Sequence, residues 1–363
     1  MKSSVLRHLV DPLRGMLTHY SGTIREYNAT RGLPTAGLAC DFLPVEILAA
    51  ARILPLRLPA RFMGGCVQEG NSSSWGEAAD LFDCLIFPDR CCLCSRPFPG
   101  ISKVCLFPLF EGYGEEASVK LHEEMQKLLS LQFGINLDEV DMNLLAEITE
   151  GYNVLRRTVR GIASMRQLKP ALLSQDDLLC VFEAAACLPV DLVQGPLSAL
   201  LDALNDVKSE TPETLLPVLV NGPLLYRGDL LDDLEEEGCL IVEDDLCNGR
   251  RQFDPSYNTA SRYIYYEIIN SFTYRPLCPS LRTARERYDL LYKLLKNYGI
   301  ETVLFLEESC GPRREEFESL RIRLMRSGID PVSLPRGTEA AAVRDYLGLL
   351  KKGVMFPGRE DLH

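Results

Sequence analysis

Thr35-Ala-Gly-Leu-Ala-Cys-Asp-Phe-Leu-Pro-Val-Glu-Ile-Leu-Ala-Ala-Ala-Arg-Ile-Leu-Pro-Leu-Arg-Leu58 reads as a strand, a helix and a second strand. Residues 35–39 are small and apolar, Pro44 sets a helix start, and residues 45–53 are rich in alanine and aliphatics. Residues 54–58 form the second strand. A strand, a helix and a strand in so short a stretch demand a parallel pair with a crossover helix. The rhythm continues outward with a short helix at 75–81, buried strands at 83–88 and 103–109, and a helix at 115–131. From 136 to 206 strand signals stop, and long helical patterns cover 140–167 and 176–205, the latter broken at Pro189. The rhythm then resumes with strands at 218–221, 239–242, 303–306 and 331–334. Helices are expected at 227–236, 260–272, 280–297, 314–326 and 338–351. The fold class expected is α/β: two doubly wound, mostly parallel-sheet domains joined by a helical segment. The divisions are an N-terminal helical segment (1–34), a first α/β domain (35–135), a helical bridge (136–210) and a second α/β domain (211–363).

The opening segment carries Leu6, Leu9, Val10, Leu13, Leu17, Tyr20 and Ile24 at helical spacing and reads as one amphipathic helix ending at Arg31-Gly-Leu-Pro34. Lys2, Arg7 and Asp11 interrupt the first residues, so no export signal is expected there. The apolar run 47–58 is cut by Arg52, Pro55 and Arg57, which argues against a membrane span. A cytoplasmic location is expected. The formal net charge of -12 argues against nucleic acid or an anionic membrane as the main partner.

Thirteen cysteines are many for such a chain, and four histidines are few. A reducing compartment makes disulfides a poor explanation, and the scarcity of histidine disfavours a Cys/His zinc site. Metal or cluster ligation, with some thiols buried as small apolar groups, fits better. Cys84, Cys105 and Cys239 lie within expected strands, and Cys180 and Cys187 within a helical segment, so packing roles are expected for them. Cys40, Cys91 and Cys310 instead follow the carboxyl ends of strands, where sites form in open α/β sheets. Each also precedes an expected helix, whose amino end favours a thiolate.

Four segments, in order, resemble the 2-hydroxyacyl-CoA dehydratase and benzoyl-CoA reductase family. They are residues 37–58, with a cysteine, Pro-x-Glu and Pro-x-Arg-Leu; Asp83-Cys-Leu-Ile-Phe-Pro-Asp-Arg-Cys91; Asn221-Gly-Pro with residues 238–250; and Thr302-Val-Leu-Phe-Leu-Glu-Glu-Ser-Cys310. Tyr152-Asn153 and Arg156 are similar to the family's bridging helix. The segment between Pro59 and Asp83 is shorter than the family pattern, and Cys66 within it has no counterpart. The second cysteine opens Cys91-Cys92-Leu-Cys94, which leaves Cys92 and Cys94 as alternatives to Cys91.

The resemblance implies an iron–sulfur protein of anaerobic metabolism. Its ligands would be Cys40, Cys91 and Cys310 around a [4Fe–4S] cluster. The implied chemistry is one-electron, radical reduction of an acyl-CoA thioester, fed by an ATP-dependent iron–sulfur activator. It further implies a second homologous subunit or a homodimer. The extra cysteines keep open a double-cubane [8Fe–9S] electron-transfer reductase without an acyl-CoA substrate. An accessory protein without a cluster is the third reading, since fold does not grant function. Glu46 is either an acid or base beside the cluster or a first-turn residue complementing a helix dipole. Asp244 and Asp245 either cap a helix, bind metal or shape a turn, and Cys247 follows them at a strand end. Arg250 and Arg251 are candidates for a CoA phosphate, with a solvated pair as the plainer alternative.

Overall fold

The computed structural model describes residues 5–63, 73–89, 103–108, 114–208, 215–222, 225, 229–274, 282–306 and 314–334. The expected helix at 338–351 lies outside them, as do Cys66, Cys91, Cys92, Cys94, Cys278 and Cys310. Helices α1 (Arg7–Thr18) and α2 (Tyr20–Ala29) open the chain, followed by β1 (Thr35–Leu38), α3 (Val45–Ala50), β2 (Leu54–Arg57), α4 (Ala60–Met63) and α5 (Ser73–Leu81). Next come β3 (Cys84–Pro88), β4 (Val104–Phe107) and α6 (Glu115–Phe133), then the helices α7 (Met142–Leu168), α8 (Gln175–Cys187) and α9 (Val190–Asp206). The last part runs β5 (Leu216–Asn221), α10 (Asp229–Glu236), β6 (Cys239–Asp245), α11 (Ile264–Tyr274), α12 (Ala284–Tyr298), β7 (Thr302–Leu306), α13 (Arg314–Arg326) and β8 (Asp330–Leu334).

Among the described residues the strands form two four-stranded sheets, ordered β2-β1-β3-β4 and β6-β5-β7-β8, and every pairing is parallel. The fold is therefore α/β with two parallel sheets. Helices start and stop where local chemistry dictates. Asp141 accepts the N–H of Asn143 at the start of α7, Ser174 accepts that of Asp177 in α8, and Thr283 and Glu286 form a capping box on α12. Gly134 and Gly299 close α6 and α12 in left-handed conformation, where a Cβ would be strained.

Three apolar clusters form the core among the described residues. The largest joins α1 and α2, one face of the N-terminal sheet, α7–α9 and one face of the C-terminal sheet, with Leu13, Val159, Val193 and Val220 wholly buried. The second covers the other face of the N-terminal sheet with α3, α6 and, from much later in the chain, α11. Ile268 and Ile269 of α11 sit in that cluster with Ile86 and Met125. The third packs α12 and α13 on the C-terminal sheet.

Three local differences from the sequence reading have physical causes. The opening helix is two helices, broken at His19, and Leu17 and Tyr20 on either side of the break are buried in the same apolar cluster. Helix α3 ends at Ala50, before the expected 53, and Arg52 takes a left-handed conformation in the turn back to β2. Strand β6 runs through Glu243, Asp244 and Asp245, past the expected end at 242, after a register shift against β5. Three consecutive carboxylates do not read as buried strand, but arginines and backbone N–H groups satisfy each of them. No helix among the described residues is long and apolar enough to cross a membrane.

Candidate functional site

In each sheet the strand order reverses beside its first strand, between β1 and β3 and between β5 and β7. Ligands of open α/β sheets bind outside the carboxyl ends of strands at such points. Cys40 stands there, two residues past β1, with Ala39 N still donating to Ile86 O of β3 at 3.1 Å. Cys40 is half-buried. Cys91 follows β3 and Cys310 follows β7, and both lie outside the described residues.

Next to Cys40, Asp41 is ion-paired with Arg57, the last residue of β2. Arg57 also donates to Gln252, far along the chain in the turn beyond β6. Gln252 in turn donates through Nε2 to the Cys247 carbonyl at 2.9 Å. The carboxyl ends of the two edge strands β2 and β6 therefore meet beside Cys40, and Cys247 belongs to the same junction.

Behind this junction, Glu46 in the first turn of α3 is wholly buried and ion-paired with Arg156 of α7, itself 7% exposed. The Arg156 guanidinium lies over two rings, Tyr152 at 5.6 Å and Tyr257 at 5.2 Å. Asn153 fixes the second ring's backbone: its Nδ2 donates to Tyr257 O at 2.8 Å and its Oδ1 accepts Tyr257 N at 3.1 Å. Among the described residues, Glu46 Oε2 and Arg156 Nη1 are both buried without a hydrogen-bond partner. Burial opposes the Arg156 charge, but Glu46 outweighs it and the guanidinium pKa rises above its ordinary value. Burial, then the Glu46 charge, pushes the Tyr152 phenol up. Among the described residues, an acceptor and a donor of one buried ion pair thus stand unused.

The C-terminal sheet ends differently. Asp244 Oδ1 accepts the N–H of Leu246 at 3.2 Å and of Arg250 at 3.1 Å, so it shapes the turn after β6. Gly249 is required there, because a Cβ would fall 1.5 Å from Asp244 Oδ1. Burial first, and then Glu243, raises the Asp244 pKa to about 7. Asp245 accepts Nδ2 of Asn221 at 2.8 Å and Nη1 of Arg282 at 3.0 Å, and all three are buried. Arg287 Nη2 donates to Asn221 Oδ1 at 2.9 Å. Arg250, a phosphate candidate, donates to Glu243 Oε2 at 2.6 Å and to the Tyr298 hydroxyl at 2.9 Å. Arg251 Nε donates to Leu246 O at 3.2 Å. Among the described residues no group of three or more histidine, cysteine or acidic side chains can hold a metal ion.

The other described thiols fall where packing was expected. Cys84, Cys180, Cys187 and Cys239 are buried, and Cys105 is half-buried on the edge strand β4. Burial pushes the Cys180 thiol up to about 12 and the Cys187 thiol well above its ordinary value, which keeps both protonated and unreactive. The sequence nominated Cys40, Glu46, Arg250 and Arg251 but missed Asp41, Arg57, Gln252, Arg282 and Arg287. The Arg57 of Pro-x-Arg-Leu was a visible signal, whereas its partner Gln252 carried none.

The family model described as 2-hydroxyglutaryl-CoA dehydratase, D-component, matches residues 103–335, well over half of the chain. The matched span holds α7 and the whole C-terminal sheet, and it begins after Cys40 and Glu46. No curated protein matches the chain.

Proposed function

This chain belongs to the 2-hydroxyglutaryl-CoA dehydratase D-component family, and on that premise we propose that it is an iron–sulfur subunit acting on an acyl-CoA thioester. The observation that carries the reading is the junction where β2 and β6 end together beside Cys40, backed by the buried Glu46–Arg156 pair. Cys40, Cys91 and Cys310 would hold a [4Fe–4S] cluster, with Cys92 or Cys94 as alternatives to Cys91. A half-exposed thiol at a strand-order reversal is a suitable donor, since thiolates are the ligands such clusters take. When bound, the cluster supplies an electron of low potential to the thioester.

The chain's own residues supply geometry and protons. Asp41 and Arg57 fix the loop that carries Cys40. Arg156 holds the Glu46 carboxylate in place, and Glu46 Oε2 is available to take a proton from a substrate or return one. Tyr152 and Tyr257 flank the pair and exclude water. An ATP-dependent activator and a second homologous subunit, or a second copy of the chain, are the partners this reading requires. A cytoplasmic location accords with reduced thiols.

The run Cys91-Cys92-Leu-Cys94 favours one alternative, a double-cubane [8Fe–9S] protein. Iron and acid-labile sulfide per chain after anaerobic purification decide between them, with Cys40→Ala, Cys91→Ala and Cys310→Ala measured alongside. About four irons, lost in each variant, support the first reading, and about eight support the second. No iron after anaerobic reconstitution sinks both and leaves an accessory protein of the same fold.

A further inference from the structure

We propose that Arg287, held in place by Asn221 where the strand order of the C-terminal sheet reverses, forms a site for a phosphate-type anion. The proposal rests on the acyl-CoA reading for one point only, the anion's source: the adenosine 3′,5′-bisphosphate end of coenzyme A.

The charge pairing along this edge singles out Arg287. Arg250 is matched by Glu243, and Arg282 by Asp245. Arg287 has a neutral partner, the Asn221 amide, and no carboxylate partner among the described residues. Its Nε is buried with no hydrogen-bond partner among the described residues. A half-buried guanidinium in that state has lost water without gaining a counter-charge, and an arriving anion restores the balance. The planar fork suits phosphate oxygens.

The backbone agrees. Asn221 ends β5, and the next residue, Gly222, lies so close to β7 that a Cβ would fall 2.7 Å from Leu306 Cβ. Glycine in such a place marks a close backbone approach. Arg287 lies near the amino end of α12, whose dipole adds positive potential. Glu286, its acidic neighbour, is turned back on Thr283 in the capping box. The sequence pointed to Arg250 and Arg251 for this role, and the fold gives Arg250 another task.

Calorimetric titration of the full chain with adenosine 3′,5′-bisphosphate, and separately with inorganic phosphate, tests the site. Arg287→Gln is expected to weaken bisphosphate binding about tenfold to a hundredfold, the worth of a charged hydrogen bond. It leaves Asn221 a neutral partner and exposes no buried charge, so its melting temperature should stay close to the parent's. Arg285→Gln removes the same charge from the same helix at an 81% exposed side chain and should leave binding unchanged. Equal losses in both variants, no loss in Arg287→Gln, or no binding of either probe by the parent overturns the proposal. Coenzyme A that binds regardless of Arg287→Gln also overturns it, while leaving the acyl-CoA reading intact. Inorganic phosphate that binds and is lost in Arg287→Gln, when coenzyme A does not bind, supports the site and removes acyl-CoA as its source.

Discussion

The N-terminal and C-terminal sheets share one strand order, yet their carboxyl ends differ in how far their charged groups are satisfied. A half-buried thiol follows a strand in each, Cys40 in the first and Cys247 in the second, but beside the first Glu46 and Arg156 each keep one polar atom unused among the described residues. The second ends in carboxylates that are almost fully satisfied, by Arg250, Arg282, Asn221 and the turn at 246–250. Similar frameworks therefore do not dictate similar sites. The strand order fixes where a site stands, and the few residues after each strand decide what it takes.

The sharpest way to break this comparison is iron content. Cys40→Ser should lose most of the iron bound after anaerobic reconstitution, whereas Asp245→Asn should keep it. Equal losses would mean that the two ends are not chemically distinct.

Stability comes next. Glu46→Ala and Asp245→Ala each strip the carboxylate from a buried arginine, Arg156 or Arg282. Each should cost about 3–5 kcal/mol in denaturant unfolding. A cost well below that in Glu46→Ala alone would show that Arg156 finds another partner.

The third effect depends on pH. The folded chain holds the Asp244 proton up to about pH 7, while the unfolded chain releases it near the ordinary carboxylate value. Folding then binds the extra proton, so this contribution is full below about pH 4 and fades as pH rises toward 7, by about 3 kcal/mol or less. Burial also raises Glu243, which acts in the same direction. Asp244→Asn should flatten the fall of the unfolding midpoint between pH 5 and pH 7.5, to an extent of about 1–2 kcal/mol. A parent whose stability is already flat there would refute the assignment. The smallest effect is Arg285→Gln, which should leave the midpoint where it is.

Much of the framework was legible in the chain itself. The small-residue strand at β1, the crossover to β2 and the buried run at β3 carry period and punctuation that physical rules can read. The junction beside Cys40 was not. Arg57 and Gln252 lie 195 residues apart, and no local pattern announces a pair that only the folded chain creates. Glu243-Asp244-Asp245 was hidden for another reason. Buried carboxylates become acceptable only once Arg250, Arg282 and Asn221 are in place, and those partners come from other elements. Glu46 was nominated by the Pro-x-Glu of the family pattern, with its first-turn place as the plainer reading, but the Arg156 opposite it required the packing of α3 on α7.

Helix α11 has a mechanical consequence. The chain passes from the N-terminal sheet through α7–α9 to β5 and β6, comes back to lay α11 on the N-terminal sheet, and leaves again for α12 and β7. Two bodies tied at a single point can swing in any direction. Bodies stitched at several points keep few degrees of freedom, and rotation about a line through the stitches is the softest of them. Relative movement of the two sheets, which also share the largest apolar cluster, should therefore be confined to a small rocking about one axis.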